Sequence, residues 1–459
     1  MHKIYTCGSG KRGRLGRNEL RGKEQDSFYP VMLQKGLPDA MLVSSVACGR
    51  SHTLLLATPM GGQTGVWSWG EGLAGQLGLN KRDYSNIPTR LTMTDFHSEL
   101  SSVAAGGDSS GALAENGLLW TWGENGGGQL GLGDRKNRLI PTLVTGILSP
   151  AYMERLKPCG TAVSDEAVPE TTVPLSASAA DDTSEPDDLP SDCVGFKSVD
   201  FGMRFAAAVD MLGRFWSWGE GHGGVLGNNA ENCQVSPTLV ENVAWVNTNT
   251  QFDVVYCGEL HAAMLSTTGQ VWLWGVGGDG RLGLSSQEGQ WEPTLHPTLP
   301  PAQNIACGSR HTCVVTVEGS VLAMGRGDNG RLGQGLSADS FVPIPPKFEA
   351  GASTVSKAVA GSSVSAFLHS NGTVSTCGEG LYGTNGQGSV MDVYVPTPML
   401  VMMMRVGESL DHRIHPQKQT ADHSTAEHSS RFVTDIAAGE SHLVIVSLED
   451  HKEAAWFHT

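Results

Sequence analysis

One feature limits what this chain can fold into: two short patterns alternate along it seven times. The first ends in a glycine closing a Trp-x-Trp-Gly-like segment, at Gly8, Gly70, Gly123, Gly219, Gly275, Gly325 and Gly378, and each copy has glycine again five and eight positions later. The second ends in the glycine of a Val-Ala-Cys-Gly-like segment, at Gly49, Gly106, Gly202, Gly258, Gly308, Gly361 and Gly439. Successive glycines of the first series lie 62, 53, 96, 56, 50 and 53 residues apart, so one interval holds an insertion, and a second insertion separates Gly361 from Gly439. Tandem units of this length cannot each bury an apolar face alone, so they must stack on one another.

Each unit carries the marks of four short strands. In the fullest copy, His52 to Leu56 is rich in β-formers and Val66 to Trp69 alternates apolar with small polar residues. Asn-Gly and Glu-Gly turns at Glu115-Asn116-Gly117, Val317-Glu318-Gly319 and Ser370-Asn371-Gly372 mark hairpins. A Pro-Thr strand follows at Pro141 to Val144, Pro237 to Val240 and Pro293 to Leu295, and the next Val-Ala-x-Gly segment completes the set. Four antiparallel strands per unit, seven times over, predict an all-β chain folded as a seven-bladed β-propeller. Ile4 to Gly8 supplies a Trp-x-Trp-Gly-like strand, Ile436 to Gly439 and His442 to Ser447 supply strands at the other end, and neither end holds a whole repeat. The N- and C-terminal strands are therefore expected to share one blade and close the ring, which protects the sheet edges that an open array would expose.

A single propeller domain is thus expected over 1–459, interrupted at 146–197 and 407–431. The first insertion holds Pro, Ser, Thr and acid with few large apolar residues, a composition expected to stay disordered. Between Pro158 and Phe196 there are nine acids and no Lys or Arg, which accounts for much of the formal net charge of −16. That balance argues against nucleic acid as a partner. No stretch approaches the length of a membrane span, and the first residues lack the apolar core of a secretory signal. The nine cysteines are scattered, mostly at repeat positions, and are expected to be reduced thiols in a cytoplasmic or nuclear protein.

If strands alternate in direction, both insertions and the long hairpin Thr58 to Gly65 leave by one face, and the glycine-rich connections by the other. The first of those connections carries Lys11, Arg12, Arg14, Arg17, Arg21 and Lys23, with Arg50, Arg204 and Arg310 in nearby tight turns. A polarised disc is expected, acidic on the insertion side and locally basic on the other.

The combination Val-Ala-Cys-Gly-x-x-His-Thr, Trp-x-Trp-Gly and Gly-x-x-Gly-Gln-Leu-Gly resembles the regulator of chromosome condensation repeat family over the whole chain apart from the insertions. The resemblance implies a seven-bladed propeller closed by its chain ends. It leaves function open, because that family includes exchange factors for Ran-type GTPases, accessory domains of ubiquitin ligases, ciliary and trafficking scaffolds, and a plant ultraviolet photoreceptor. The chain opens on a strand-like segment instead of the nuclear exchanger's basic tail, and no blade hairpin shows that protein's wedge. Where the photoreceptor has tryptophan after the second glycine, this chain has Arg50, Gly107, Met203, Glu259, Ser309, Ser362 and Glu440, so light sensing is not expected.

Candidate sites follow by elimination. Gly70-Glu71-Gly72-Leu73-Ala74-Gly75 and Gly8-Ser9-Gly10-Lys11-Arg12-Gly13 match a dinucleotide fingerprint, but the pattern belongs to the repeat and lacks the helix that receives a pyrophosphate. His52, His261, His311 and His442 occupy equivalent points and are expected to make a repeated turn hydrogen bond. His412, His415, His423 and His428 lie in a polar insertion and are taken as solvated, so no metal or cofactor is expected. The tryptophan pairs at 67/69, 120/122, 216/218 and 272/274 should pack between blades. Trp245 and Trp291 lie off the repeat and, with Lys11, Arg12, Arg14, Arg17 and Arg21, are the candidate protein contacts. With no nucleophile beside a base, the reading is a monomeric, non-catalytic scaffold that binds partner proteins through its loops. The alternatives are guanine-nucleotide exchange on a small GTPase and, lower, chromatin or histone binding.

Overall fold

A computed structural model describes residues 1–19, 24–92, 96, 98–149, 152, 193–399 and 432–448. Its strands form seven four-stranded antiparallel sheets, the blades of a propeller. In blade 1 the order from the axis outward is Met41–Cys48, His52–Pro59, Gly65–Gly70 and Ser85–Arg90. Blades 2 to 6 repeat this order, beginning at Leu100, Phe196, Phe252, Ala302 and Val355. Blade 7 is assembled from both ends of the chain: Phe432–Ala438 and His442–Leu448 form its inner half, His2–Gly8 and Ser27–Met32 its outer half. The register joining the halves runs from His2 opposite Leu448 to Gly8 opposite His442.

The repeat residues explain why blades form and why they stack. All seven glycines of the first series have φ between +98° and +116°, a region an L-residue avoids. At Gly123 a Cβ would also collide with the Asp108 carbonyl. In five of the seven blades a small hydroxyl between the two tryptophan positions staples the third strand to its own glycine-rich connection; blades 4 and 5 have Leu273 and Ala323 there. Thr6, Ser68, Thr121 and Ser217 donate to the carbonyls of Leu15, Leu77, Leu130 and Leu226 at 2.7–2.8 Å, and Thr376 donates to Asn385 at 2.6 Å. The second tryptophan reaches the preceding blade: the indoles of Trp69, Trp122, Trp218 and Trp274 donate to the carbonyls of Arg14, Gln76, Gln129 and Val225 at 2.8–3.1 Å. These four tryptophans are fully buried.

Every outer strand has proline at its fourth residue: Pro30, Pro88, Pro141, Pro237, Pro293, Pro343 and Pro396. Proline cannot donate from a free edge, so the rim is blunted against adding a strand. The cysteines at repeat positions pack as small apolar groups, and burial pushes the thiols of Cys7, Cys48 and Cys313 up to about 12. Among the described cysteines no disulfide forms.

Of the expected insertions, 407–431 and most of 146–197 lie outside the described residues. At the edges of the first, Ile147 and Tyr152 are buried, and Phe196 and Lys197 already belong to the inner strand of blade 3. The chain returns from both insertions beside a hairpin, with Phe196 N donating to Gly117 O and Val433 N to Gly372 O. The described ends of the insertions thus share one face with the hairpins.

Candidate interaction face

The opposite face is built from the tight turns after each inner strand and the glycine-rich connections before each outer strand. Its arginines do not make it uniformly basic, because most stand over carboxylates. Arg12 pairs with Glu71, Arg50 with Asp108 at 2.7 Å, Arg204 with Glu220 at 3.0 Å and Arg310 with Asp279 at 3.5 Å. In the first two pairs the guanidinium is exposed and the acid recessed, at 55% against 8% and 43% against 13% of side-chain surface. Three of the four pairs bridge neighbouring blades. Burial, joined by repulsion from nearby acids, raises the carboxyls of Asp108 and Glu124 above their ordinary range.

The four repeat histidines lie beneath this face, and the structure corrects their expected role. They bond across seams between blades, not within a turn. His52 Nε2 meets Ser110 Oγ at 2.8 Å, His261 meets Thr312 at 2.8 Å, His311 meets Ser365 at 2.9 Å and His442 meets Thr53 at 3.1 Å. Ser110, Thr312 and Ser365 each give their own proton to a carbonyl of the preceding blade, so the imidazole must donate from Nε2. Each ring lies against the glycine three residues before it, and a Cβ on Gly49 would collide with His52 Cε1. Burial lowers His52, His311 and His442 to about 3, and lowers His261 as well, so all four are neutral.

The inner strands surround a central cavity of about 570 Å³. Their edges are tied by side chains: Ser45, Ser198 and Asn304 accept from the backbone N–H of Val103, Val255 and Ala358 in the next blade. Asp200 accepts from Cys257 N at 2.8 Å and from Phe201 N at 2.9 Å. Burial raises its carboxyl to about 7 despite these bonds.

Among the candidate contacts, Lys11, Arg12, Arg14 and Arg17 sit together in the glycine-rich connection of blade 7. Lys11 lies with Nζ 4.9 Å from the ring centroid of Tyr382 in blade 6. Arg14 bonds Ser51 at 2.9 Å and also Ser441, clamping blade 7 to blade 1. Arg17 turns back onto Glu19 and the carbonyl of Gln25. Arg21 lies outside the described residues. The two tryptophans separate. Trp245, on the helical turn Val243–Thr248, is 6% exposed and packs edge-on against Phe215, Phe252 and Trp272, so it is a core residue and not the surface anchor expected. Trp291 is on the outer strand of blade 4 and partly exposed.

Sequence reasoning missed the hydroxyl partners of the histidines and the recessed acids under the arginines. It also missed Leu381, Val390 and Met391, apolar residues exposed in the glycine-rich connection of blade 6. Their signal was available: a connection otherwise made, apart from Tyr382, of Gly and polar residues should not hold them.

Seven equivalent blades, joined through the same side chains at seam after seam, define a repeat propeller with one constant framework and seven variable connections. The chain belongs to the regulator of chromosome condensation (RCC1) repeat family, whose model matches residues 2–56, 65–113, 116–151, 268–315 and 318–368. A second model of that repeat matches 303–331. The ultraviolet-B receptor UVR8 of Arabidopsis thaliana is 29% identical over 61% of this chain and 62% of its own length. The human E3 ubiquitin-protein ligase HERC2 is 27% identical over 64% of this chain but 6% of its own length. The chain thus spans less than two thirds of these relatives. Among solved structures, human WBSCR16 superposes with a TM-score of 0.68 at 19% identity, covering 98% of this chain and 100% of that one. Prp20p of Saccharomyces cerevisiae gives 0.70 at 18%, covering 98% and 92%. No helix among the described residues is long and apolar enough to cross a membrane.

Proposed function

We propose that this protein is a non-catalytic interaction propeller that holds partner proteins on the face of its glycine-rich connections. The observation that carries the reading is the use made of the reactive side chains. The four repeat histidines, the groups best suited to acid–base work, are neutral, buried and committed to seams, whereas the connections present pre-oriented arginines to solvent. Guanidiniums held by recessed carboxylates lose little side-chain entropy on binding, which favours a protein interface. The free cysteines among the described residues, three of them buried, suit the cytoplasm or nucleus.

Guanine-nucleotide exchange is the second reading, supported by the likeness to Prp20p, whose structure is described with its binding to Gsp1p and histones. Capture experiments with the full chain separate the two. An exchanger retains a small GTPase in EDTA and releases it in magnesium and GTP, whereas a scaffold keeps the same partners in both. Enrichment of a GTPase in EDTA alone would overturn the scaffold reading.

A further inference from the structure

Within the interaction face, one sector differs from the rest. Position by position, the end of the glycine-rich connection holds Arg82-Asp83 in blade 1, Arg135-Lys136 in blade 2, Glu231-Asn232 in blade 3, Gln287-Glu288 in blade 4 and Ser337-Ala338 in blade 5. Blade 6 instead places Val390 and Met391 there, 60% and 69% exposed, with Leu381 of the same connection 47% exposed. Nothing in the seams asks for this, since blades 1 to 4 close well with polar or charged residues at the same points; the neighbouring blade 5 adds Leu336, 60% exposed, just before its Ser337-Ala338. Tyr394 on the following outer strand and Tyr29 on the outer strand of blade 7 are also partly exposed. The blade 6 connection leans on that second strand, with Gly388 N donating to Phe28 O at 2.8 Å. An apolar centre with an aromatic rim is the composition of an interface core.

Cationic side chains border this patch on the blade 7 side. Lys11 reaches over the Tyr382 ring from blade 7 and has no carboxylate partner among the described residues. Arg12 follows it, exposed above Glu71. Of the two acids in this connection, Asp392 is already engaged, accepting from Asn329 at 2.9 Å and from Gly380 N at 3.0 Å, and Glu379 is half-buried. What faces solvent is therefore an apolar surface with a cationic edge, lying across the seam between blades 6 and 7.

Building on the interaction reading above, we propose that Leu381, Val390 and Met391, with Lys11 and Arg12, dock an acidic segment of another protein that carries one or two apolar anchors. The anchors cover the exposed side chains of blade 6, and the carboxylates meet the ammonium of Lys11 and the outer edge of Arg12. A nucleic acid would need cations across the patch, not along one border. A lipid surface would need a broad apolar face, and this rim is mixed, with polar residues and charge among its apolar side chains.

The test is selection of short random displayed peptides on the full-length chain, followed by direct binding of the synthesised winner to variants. The expected winner combines Leu, Ile or Phe with Asp or Glu. Its affinity should fall at least about tenfold, the scale of one interface hot spot, with Met391→Asp and separately with Lys11→Glu. Leu73→Asp, at the blade 1 position equivalent to Leu381 and also exposed, should leave binding unchanged. Unaltered thermal melting confirms that each variant is folded, and two variants on separate connections keep the test decisive if one misfolds. A neutral or basic winner, no winner, or an acidic winner indifferent to Met391→Asp and Lys11→Glu overturns the proposal. A chain that still captures nucleotide-independent partners with both substitutions refutes this docking site while leaving the scaffold reading intact.

Discussion

Acid should loosen this propeller at its seams, and His311 is the place to show it. A base whose folded pKa lies below its unfolded value keeps its full contribution above the unfolded pKa and loses it as pH falls toward the folded one. His311, His52 and His442 sit at about 3 in the fold, against about 6.5 in an unfolded chain. Lowering the pH from 7.5 to 5.5 then removes about 1.4 kcal/mol per histidine, or roughly 5 kcal/mol if all four respond. Asp200 opposes this. Its folded pKa of about 7 lies above the unfolded value, so the fold takes up its proton across the same window and regains about 2 kcal/mol. Asp108, Glu124 and Glu379, also raised, act in that direction. The net expectation is a loss of about 3 kcal/mol. Urea unfolding followed by tryptophan fluorescence at several pH values measures it. His311→Gln keeps an N–H donor for Ser365 but cannot titrate, so its pH-dependent loss should be smaller than wild type by about one histidine's share. Wild-type stability that does not fall between pH 7.5 and 5.5, or a His311→Gln chain that loses as much as wild type, would refute the reasoning.

Gly123→Val should cost more than about 3 kcal/mol or prevent folding, since it combines positive φ with a backbone collision. Thermal melting checks this against any single substitution between Pro169 and Pro190, each expected to shift the melting temperature far less. Trp245→Ala should destabilise by about 3–5 kcal/mol, as an aromatic core truncation does, and leave partner affinity unchanged in the folded fraction. Thr376→Ala, which cuts one staple, should cost about 1 kcal/mol in the same urea assay.

The repeat made the blades, their number and the closure legible, because glycine at fixed spacing answers a local demand of backbone geometry. Proline was recognised on three outer strands, where Thr follows and a Leu or Val comes two residues later; Pro30, Pro88, Pro343 and Pro396 serve the same purpose in less regular surroundings. The histidines were placed correctly as structural groups but given the wrong partner, because a turn is local and a seam is not. The missing signal lay one residue further on in the next copy. His52, His261, His311 and His442 occur where that copy has Ser110, Thr312, Ser365 or Thr53, while Ser109, Phe205 and Val364 face Ala206, Ala262 and Leu443. Trp245 was misjudged because its short helical turn folds back under blade 4, which no periodic pattern announces. The basic connection of blade 7 was legible as a cluster, but not the acids beneath it, since Glu71 belongs to the next unit along.

The pairing of His2–Gly8 with His442–Leu448 has a consequence for how the protein is made. A ribosome delivers the second partner roughly 430 residues after the first, so throughout that interval the nascent chain can be no more than an open arc with a bare edge at blade 7. Pairings of such long sequence separation form slowly, and until they do the arc is exposed to edge-to-edge association. Chains arrested before residue 442 should therefore accumulate as chaperone clients, whereas a fragment supplying the last two strands in trans should allow them to finish.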